Sequence, residues 1–246
     1  ESLSKNEYSK ELGESLFTRR GADEIVLCLN YDGLYGINNV NRFLQASNPN
    51  SAYVWGEAVY KVGDPVLFNE TDRFRPLIFN NMKGKIVGIS QVPGKITFDI
   101  DLGLGRDVTA MEAMLSNLRV VGGSVVQFDV IERPDTDEDD DSTTTIVPFQ
   151  IAYAVSIHKA QGLEFDSVKV VITEANEESI SHSIFYTAIT RARKHLEVYW
   201  TPSTQKRILD RLEARENRKD ENLLRQRRGV VPVTKVPRRQ KARQSP

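Results

Sequence analysis

Between positions 156 and 164 the sequence places a hydroxyl, an imidazole, an ammonium group, a glycine and a carboxylate: Ser156, His158, Lys159, Gly162 and Glu164. The first three are donors suited to phosphate oxygens rather than base edges, and such contacts position a strand without reading its sequence. A carboxylate accepts hydrogen bonds from ribose hydroxyls, and a glycine lets backbone approach a ligand closely. Further along stands Arg191. Its guanidinium is always charged and offers a rigid fork of donors matched to phosphate oxygens. These residue types can handle nucleotides and phosphodiesters. One part is missing: no G-x-x-x-x-G-K-[ST] phosphate loop occurs in the sequence, so a triphosphate would lack its backbone nest and lysine. Plainer readings also stand. Arg193, Lys194 and His195 follow Arg191 closely, which makes a surface arginine on a basic helix one alternative. Glu164 could be a helix-capping or exposed acid, and Ser-x-His-Lys alone is an ordinary surface sequence.

Two stretches carry these residues. One is Ala154-Val155-Ser156-Ile157-His158-Lys159-Ala160-Gln161-Gly162-Leu163-Glu164-Phe165; the other is Phe185-Tyr186-Thr187-Ala188-Ile189-Thr190-Arg191-Ala192-Arg193-Lys194. Together they resemble motifs V and VI of superfamily 1 nucleic-acid helicases, most closely the RecD-like and UvrD-like C-terminal motor domain. The resemblance implies a RecA-like second lobe, with ATP bound between it and a first lobe that supplies the phosphate loop. It maps the motif VI arginine onto Arg191, which would reach across to the nucleotide and act in catalysis. It maps the nucleotide-facing part of motif V onto Gly162 and Glu164, and the nucleic-acid-facing part onto Ser156, His158 and Lys159. Ser156 stands where relatives often carry Thr, and the hydroxyl is retained. Many relatives also place an arginine just after the strand that precedes the first glycine-containing turn. Here that stretch is Asn30-Tyr31-Asp32-Gly33, and no arginine appears before Arg42. This leaves Arg191 as the cross-lobe sensor and puts efficient hydrolysis in doubt.

The elements that must position these groups read as an α/β domain interrupted by a β insert. A polar helix is expected over 4–20, a buried strand over 24–30, and a helix from the Tyr31–Gly36 turn to about Ser47. Ile37, Val40 and Leu44 share one face of that helix. From Val59 short apolar runs at 65–69, 84–90, 95–101 and 125–131 suggest a small β-barrel. The segments Tyr60-Lys61-Val62-Gly63-Asp64-Pro65-Val66-Leu67-Phe68 and Asn80-Asn81-Met82-Lys83-Gly84-Lys85-Ile86 are similar to the SH3-like barrel inserted in RecD-like helicases. Its cations Arg73, Arg75, Lys83 and Lys85 are expected to meet nucleic acid rather than nucleotide. The α/β pattern returns at Ile146. Strands are expected at 152–156, 167–172 and 195–200, a short helix at 157–161, and longer helices at 181–191 and 204–227. The expected division is a RecA-like part at 1–58, an SH3-like β-barrel insert at 59–131, an acidic disordered loop at 132–145, the second RecA-like part at 146–227 and a basic disordered tail at 228–246.

Composition sets outer bounds. The 246 residues are 39% hydrophobic and 27% charged, as in an ordinary globular protein. The single cysteine, Cys28, excludes an internal disulfide and any four-cysteine zinc site. A net charge of −1 hides an acidic run from Glu132 to Asp141 and a basic end from Lys206 onward, rich in arginine. No run of about 18 apolar residues occurs, and the first residues do not read as a signal peptide. A cytoplasmic location is the default expectation, and the lack of an initiating Met suggests a piece of something longer.

The sequence reading is therefore the C-terminal portion of an ATP-dependent DNA helicase, inactive alone. The resemblance implies ATP and Mg2+ as cofactors, with metal ligands supplied by the first lobe and none by this chain. It implies an N-terminal RecA-like lobe and single-stranded DNA as partners, no membrane, and 5′-to-3′ movement. Two rivals stay open: a helicase-derived binding module without motor activity, and an RNA helicase of the same superfamily.

Overall fold

A computed structural model describes residues 16–19, 21–69, 71, 74–110, 118–132, 145–174 and 179–213. Most of the expected 4–20 helix, most of the acidic loop, and the chain after 213 lie outside the described residues. The strands and first two helices belong to the unit Glu1–Gln205; the unit Lys206–Pro246 is described only through residue 213.

The apolar run Glu24–Cys28 forms β1, buried along its length. Parallel neighbours flank it: β10 (Ala154–Ser156) on one side and β11 (Phe165–Val171) on the other, with β12 (Ala192–Tyr199) beyond β11. This is a four-stranded parallel sheet in the order β10-β1-β11-β12. Burial on both faces explains the continuous apolar run Ile25–Cys28 of the inner strand β1. Helix α1 (Ile37–Ala46) packs Ile37, Val40 and Leu44 against a core containing Val26, Cys28, Ala154, Val171 and Tyr199. Its first amides donate to the carbonyls of Asn30 and Tyr31, satisfying donors that a helix start leaves open. A Cβ on Gly36 would lie 2.4 Å from the Asp32 carbonyl oxygen, so only glycine fits this entry. Asn41 on α1 bonds both the N–H and the C=O of Ala154. Its amide thereby acts as a substitute neighbour for β10 at the edge of the sheet.

Burial also defines the state of the single cysteine. It pushes the Cys28 thiol up to about 12, so the group is a core filler and not a nucleophile.

The second sheet is antiparallel and has six strands in the order β7-β8-β6-β5-β4-β9. They are β4 (Pro65–Phe68), β5 (Lys83–Val92), β6 (Lys95–Asp101), β7 (Arg119–Gly122), β8 (Val125–Ile131) and β9 (Phe149–Ile151). Alternation along β6 and β8 buries Ile96, Phe98 and Ile100 opposite Val126, Phe128 and Val130. A separate hairpin, β2 (Ala52–Trp55) with β3 (Ala58–Lys61), adds Tyr60 to this core. The Tyr60 ring meets Phe98 and Phe149 edge-on at 5.1 and 5.8 Å. Each such ring contributes roughly 1.5–3 kcal/mol through burial.

Several expectations change. The two end strands of the antiparallel sheet, β7 and β9, do not pair with each other, so the described strands form an open sheet and not the expected closed barrel. Residues 52–61, divided at 58/59 in the sequence reading, form one hairpin. Residues 149–151, expected in the returning α/β part, pair with β4 instead. The chain then crosses to the parallel sheet through Ala152 and Tyr153 alone. Residues 157–161 form a series of turns, not a helix. Phe74 is a core residue packed 5.0 Å from Phe128, and Arg73 beside it lies outside the described residues.

Asp64 explains the Gly63-Asp64-Pro65-Val66 sequence. It is fully buried and accepts bonds from Gln45 of α1, Asn48, the Lys61 amide and the Tyr153 hydroxyl. One carboxylate therefore ties α1, the hairpin and the Ala152–Tyr153 crossing together. Burial, and then the Asp64 charge, push the Tyr153 hydroxyl well above its ordinary range.

Candidate nucleotide- and nucleic-acid-facing site

Residues 157–164 run from the end of β10 to the start of β11 and hold His158, Lys159, Gly162 and Glu164. The Ser156 hydroxyl, nearly buried, accepts from the Lys159 amide at 3.2 Å, while its carbonyl accepts from Ala160. Leu163 N–H closes a further turn onto the Ala160 carbonyl at 3.0 Å. Gly162 sits at φ +85 with nothing within 4 Å of where a Cβ would be. Glycine is required there by backbone conformation, and the space around it is open. Glu164 is exposed, and its carboxylate has no partner among the described residues.

Helix α2 (His182–Ile189) starts on a Ser181 side-chain cap, which accepts from the Ile184 amide, and ends at Thr190. Arg191 follows directly, before β12. Its Nε donates to the Thr187 carbonyl at 2.8 Å, one terminal nitrogen to the Leu163 carbonyl at 3.0 Å, and the other to Thr190 Oγ1 at 3.0 Å. The Arg191 carbonyl in turn accepts from Phe165 N–H at 2.9 Å. Arg191 thus lies against the backbone between Gly162 and Glu164. A guanidinium has five N–H groups, so two remain unused among the described residues.

The three residues expected to face nucleic acid differ in availability. His158 is exposed. Lys159 is half-buried and its ammonium donates to the Gln150 side chain on β9. Ser156 holds the turn through its own hydroxyl. Lys159 thereby contacts the antiparallel sheet, a link that sequence spacing does not reveal.

A second set of charges lies beside the turn. Asp23, just before β1, accepts from Lys83 at 2.9 Å, from Arg193 and from the Asp166 amide at 3.1 Å. Asp166 pairs with Arg193 and Lys194, each at 2.8 Å. The Lys194 hydrogen bond is the largest influence holding the Asp166 carboxyl below its usual range. Arg193 and Lys194 are therefore held by acids at the start of the sheet. Lys83, expected to meet nucleic acid, is also committed inward. A cavity of about 450 Å3 opens here, with Arg19, Lys85 and Asp101 also on its wall.

Tyr31, in the Asn30-Tyr31-Asp32-Gly33 stretch that carries no arginine, is 47% exposed. It lines a shallow cavity of about 500 Å3 together with Asp32, Leu34, Asn38 and Arg42. The Arg42 guanidinium donates to Asn39 at 3.1 Å. Among the described residues no group of three or more His, Cys, Asp or Glu could hold a metal ion, and no helix is long and apolar enough to cross a membrane.

Comparison with known proteins covers the same residues. Positions 151–199 match the UvrD-like helicase C-terminal domain. The chain is 22% identical over 181 residues to the RecBCD enzyme subunit RecD of Buchnera aphidicola subsp. Schizaphis graminum, covering 72% of this chain and 24% of that protein. It is 29% identical over 163 residues to the ATP-dependent RecD2 DNA helicase of Deinococcus radiodurans, covering 65% of this chain and 18% of the relative. Among solved structures, a Pif1 helicase from Bacteroides in complex with ADP-AlF3 and ssDNA aligns over 91% of this chain and 50% of its own, at 15% identity and a TM-score of 0.47. The chain spans about a quarter or less of the length of these curated relatives. The turn between β10 and β11 and the arginine that bonds it both lie within residues 151–199, the part of this chain that matches the UvrD-like helicase C-terminal domain.

Proposed function

We propose that this chain is the C-terminal motor lobe of an ATP-dependent DNA helicase. It supplies Arg191 to a nucleotide held mainly by another lobe, and part of a single-strand track. The observation that carries this reading is the hydrogen bond from Arg191 to the Leu163 carbonyl. That bond makes the arginine, Gly162 and Glu164 one cluster, on which two guanidinium N–H groups and the Glu164 carboxylate have no partner among the described residues. Arginines of this kind stabilise charge developing on a transferring phosphoryl group, an effect worth about 10³–10⁵ in rate. Glu164 suits ribose hydroxyls, and the open face of Gly162 suits close approach of a ligand.

ATP and Mg2+ are the cofactors of this reading; when bound, the metal would supply positive charge to the phosphates. In this reading its ligands come from an N-terminal RecA-like lobe. The partners are that lobe and single-stranded DNA. We further assign the antiparallel sheet to an SH3-like insert, supported by the Gly63-Asp64-Pro65-Val66 strand entry and the turn at Asn81, which has φ 64.

Strand separation by a protein that joins this chain to a phosphate-loop lobe tests the reading. A 5′-tailed DNA duplex should be unwound with ATP, and the same duplex in RNA much less. Unwinding of RNA alone would transfer the reading to an RNA helicase. Strand binding without any ATP-dependent unwinding would leave a binding module.

A smaller expectation concerns the track. Lys159→Ala should weaken single-strand binding and flatten the log K against log[salt] slope by roughly one unit or less. The bond to Gln150 should keep the change at the small end, because the ammonium is already partly used. The measurement is a salt titration of affinity on a chain ending near residue 227, which removes the cations of the 228–246 tail. An unchanged affinity and slope would place the strand elsewhere.

A further inference from the structure

Lys83 opens β5 of the antiparallel sheet, yet its ammonium is spent entirely on the parallel-sheet side. It donates to Asp23 at 2.9 Å and to the Glu164 backbone carbonyl at 2.9 Å, and it lies 4.4 Å from the centre of the Phe165 ring. The neighbouring carbonyl, that of Leu163, is held by Arg191. Two consecutive carbonyls of one turn are therefore gripped by two cations from different parts of the molecule. One cation comes from the α2–β12 junction and the other from the antiparallel sheet. The peptide between Glu164 and Phe165 is fixed on both sides, because Phe165 N–H donates to the Arg191 carbonyl at 2.9 Å. Fixing that peptide fixes the direction in which the Glu164 side chain leaves the backbone.

We propose that Lys83 is a positioning residue: it ties the antiparallel sheet to the turn carrying Glu164, so that movement of that sheet is transmitted to the nucleotide-facing cluster. The proposal rests on the helicase reading for its consequence but not for its mechanics. A link of this kind needs a discrete contact that both sides can bias, and here the contact is one ammonium with three partners. Asp23 strengthens it by carrying Arg193 as well, which anchors the Lys83 contact to the start of β12. Charge-assisted bonds of this geometry are about twice as strong as neutral ones.

Two measurements separate the mechanics from the consequence. In the 246-residue chain, Lys83→Met keeps the length of the side chain and removes its charge, while Lys83→Arg keeps a cation. Amide hydrogen exchange at Leu163 and Phe165 should rise by about tenfold in the Met variant, and the Arg variant should recover much of the protection. Exchange on β6 and β8 should stay as in the wild type, which shows that the sheet is intact. In a protein that also carries the phosphate-loop lobe, Lys83→Met should lower strand separation per ATP by roughly three- to tenfold, with a smaller change in kcat for ATP alone. Unchanged exchange at Leu163 and Phe165 would overturn the proposal whatever the enzyme does. Altered exchange with an unchanged yield of unwinding per ATP would overturn the transmitting role. Altered exchange in a protein without ATP turnover even as wild type would sustain the tie and count against the helicase reading instead.

Discussion

Arg191→Ala, in a protein that joins this chain to a phosphate-loop lobe, should lower ATP turnover by at least about 10²-fold. The expected loss lies in kcat and kcat/KM together, because the charge it stabilises develops in the transition state. The geometry makes the prediction sharper than a charge argument alone. Three donors of the guanidinium are engaged by Thr187, Leu163 and Thr190. They hold the planar fork in a fixed direction, and two N–H groups are left for phosphate oxygens. Arg191→Lys keeps the charge but cannot make those three bonds and still present a fork. It should therefore recover only a small part of the activity. The same three bonds predict a stability cost. Each is worth about 0.5–1.5 kcal/mol net, so the Ala variant should melt earlier while remaining folded by circular dichroism. Near-normal kcat in the Ala variant would reduce Arg191 to a staple of the turn.

The second large effect is on folding. Lys169 and Glu24 are an ion pair buried between β11 and β1, with side chains 0% and 3% exposed and an N–O distance of 3.2 Å. Lys169 also donates to the Thr18 carbonyl at 2.6 Å, and Glu24 accepts from the Ser167 hydroxyl at 3.0 Å. Removing one partner strands the other charge in the interior, which typically costs about 3–5 kcal/mol. Glu24→Ala should therefore lower the unfolding free energy by about that amount in urea or thermal melts. That is enough to unfold a marginal domain. Glu24→Leu with Lys169→Met removes both charges. It should cost much less than the single change, since a well-packed apolar pair replaces the ions. If single and double variants were equally destabilised, packing and not the stranded charge would set the cost. The pair also holds the chain entry: the Leu16 and Thr18 carbonyls both bond Lys169, so the Ala variant should loosen residues 16–19 first.

What could be read from sequence follows from how local each feature is. The inner parallel strands were legible because burial on both faces favours apolar runs, as at Ile25–Cys28 and Val170–Ile172. Helix α1 was legible from Ile37, Val40 and Leu44, whose spacing is their shared face. The turn from Ser156 to Glu164 and its partner Arg191 stood out through the resemblance, and they meet in space. The hairpin at 52–61 was missed because each arm has only four residues and Gly56 interrupts them. Strand β9, with three residues, carries too little pattern to be told from the β10 that follows. An open sheet could not be distinguished from a barrel by strand spacing, because closure depends on whether the outermost strands pair. The contacts of Lys83 were not legible for a related reason. Nothing in its neighbourhood of the sequence points to a carbonyl 81 positions away.

The most direct test of the motor-lobe reading is ATP hydrolysis with and without single-stranded DNA. It is measured on the 246-residue chain alone and on the same chain joined to a lobe bearing a G-K-[ST] phosphate loop. The account predicts no turnover by the chain alone, because the triphosphate lacks its backbone nest and lysine there, and strand-stimulated turnover once the lobe is joined. Turnover by the purified chain alone, free of contaminating ATPase, would contradict it.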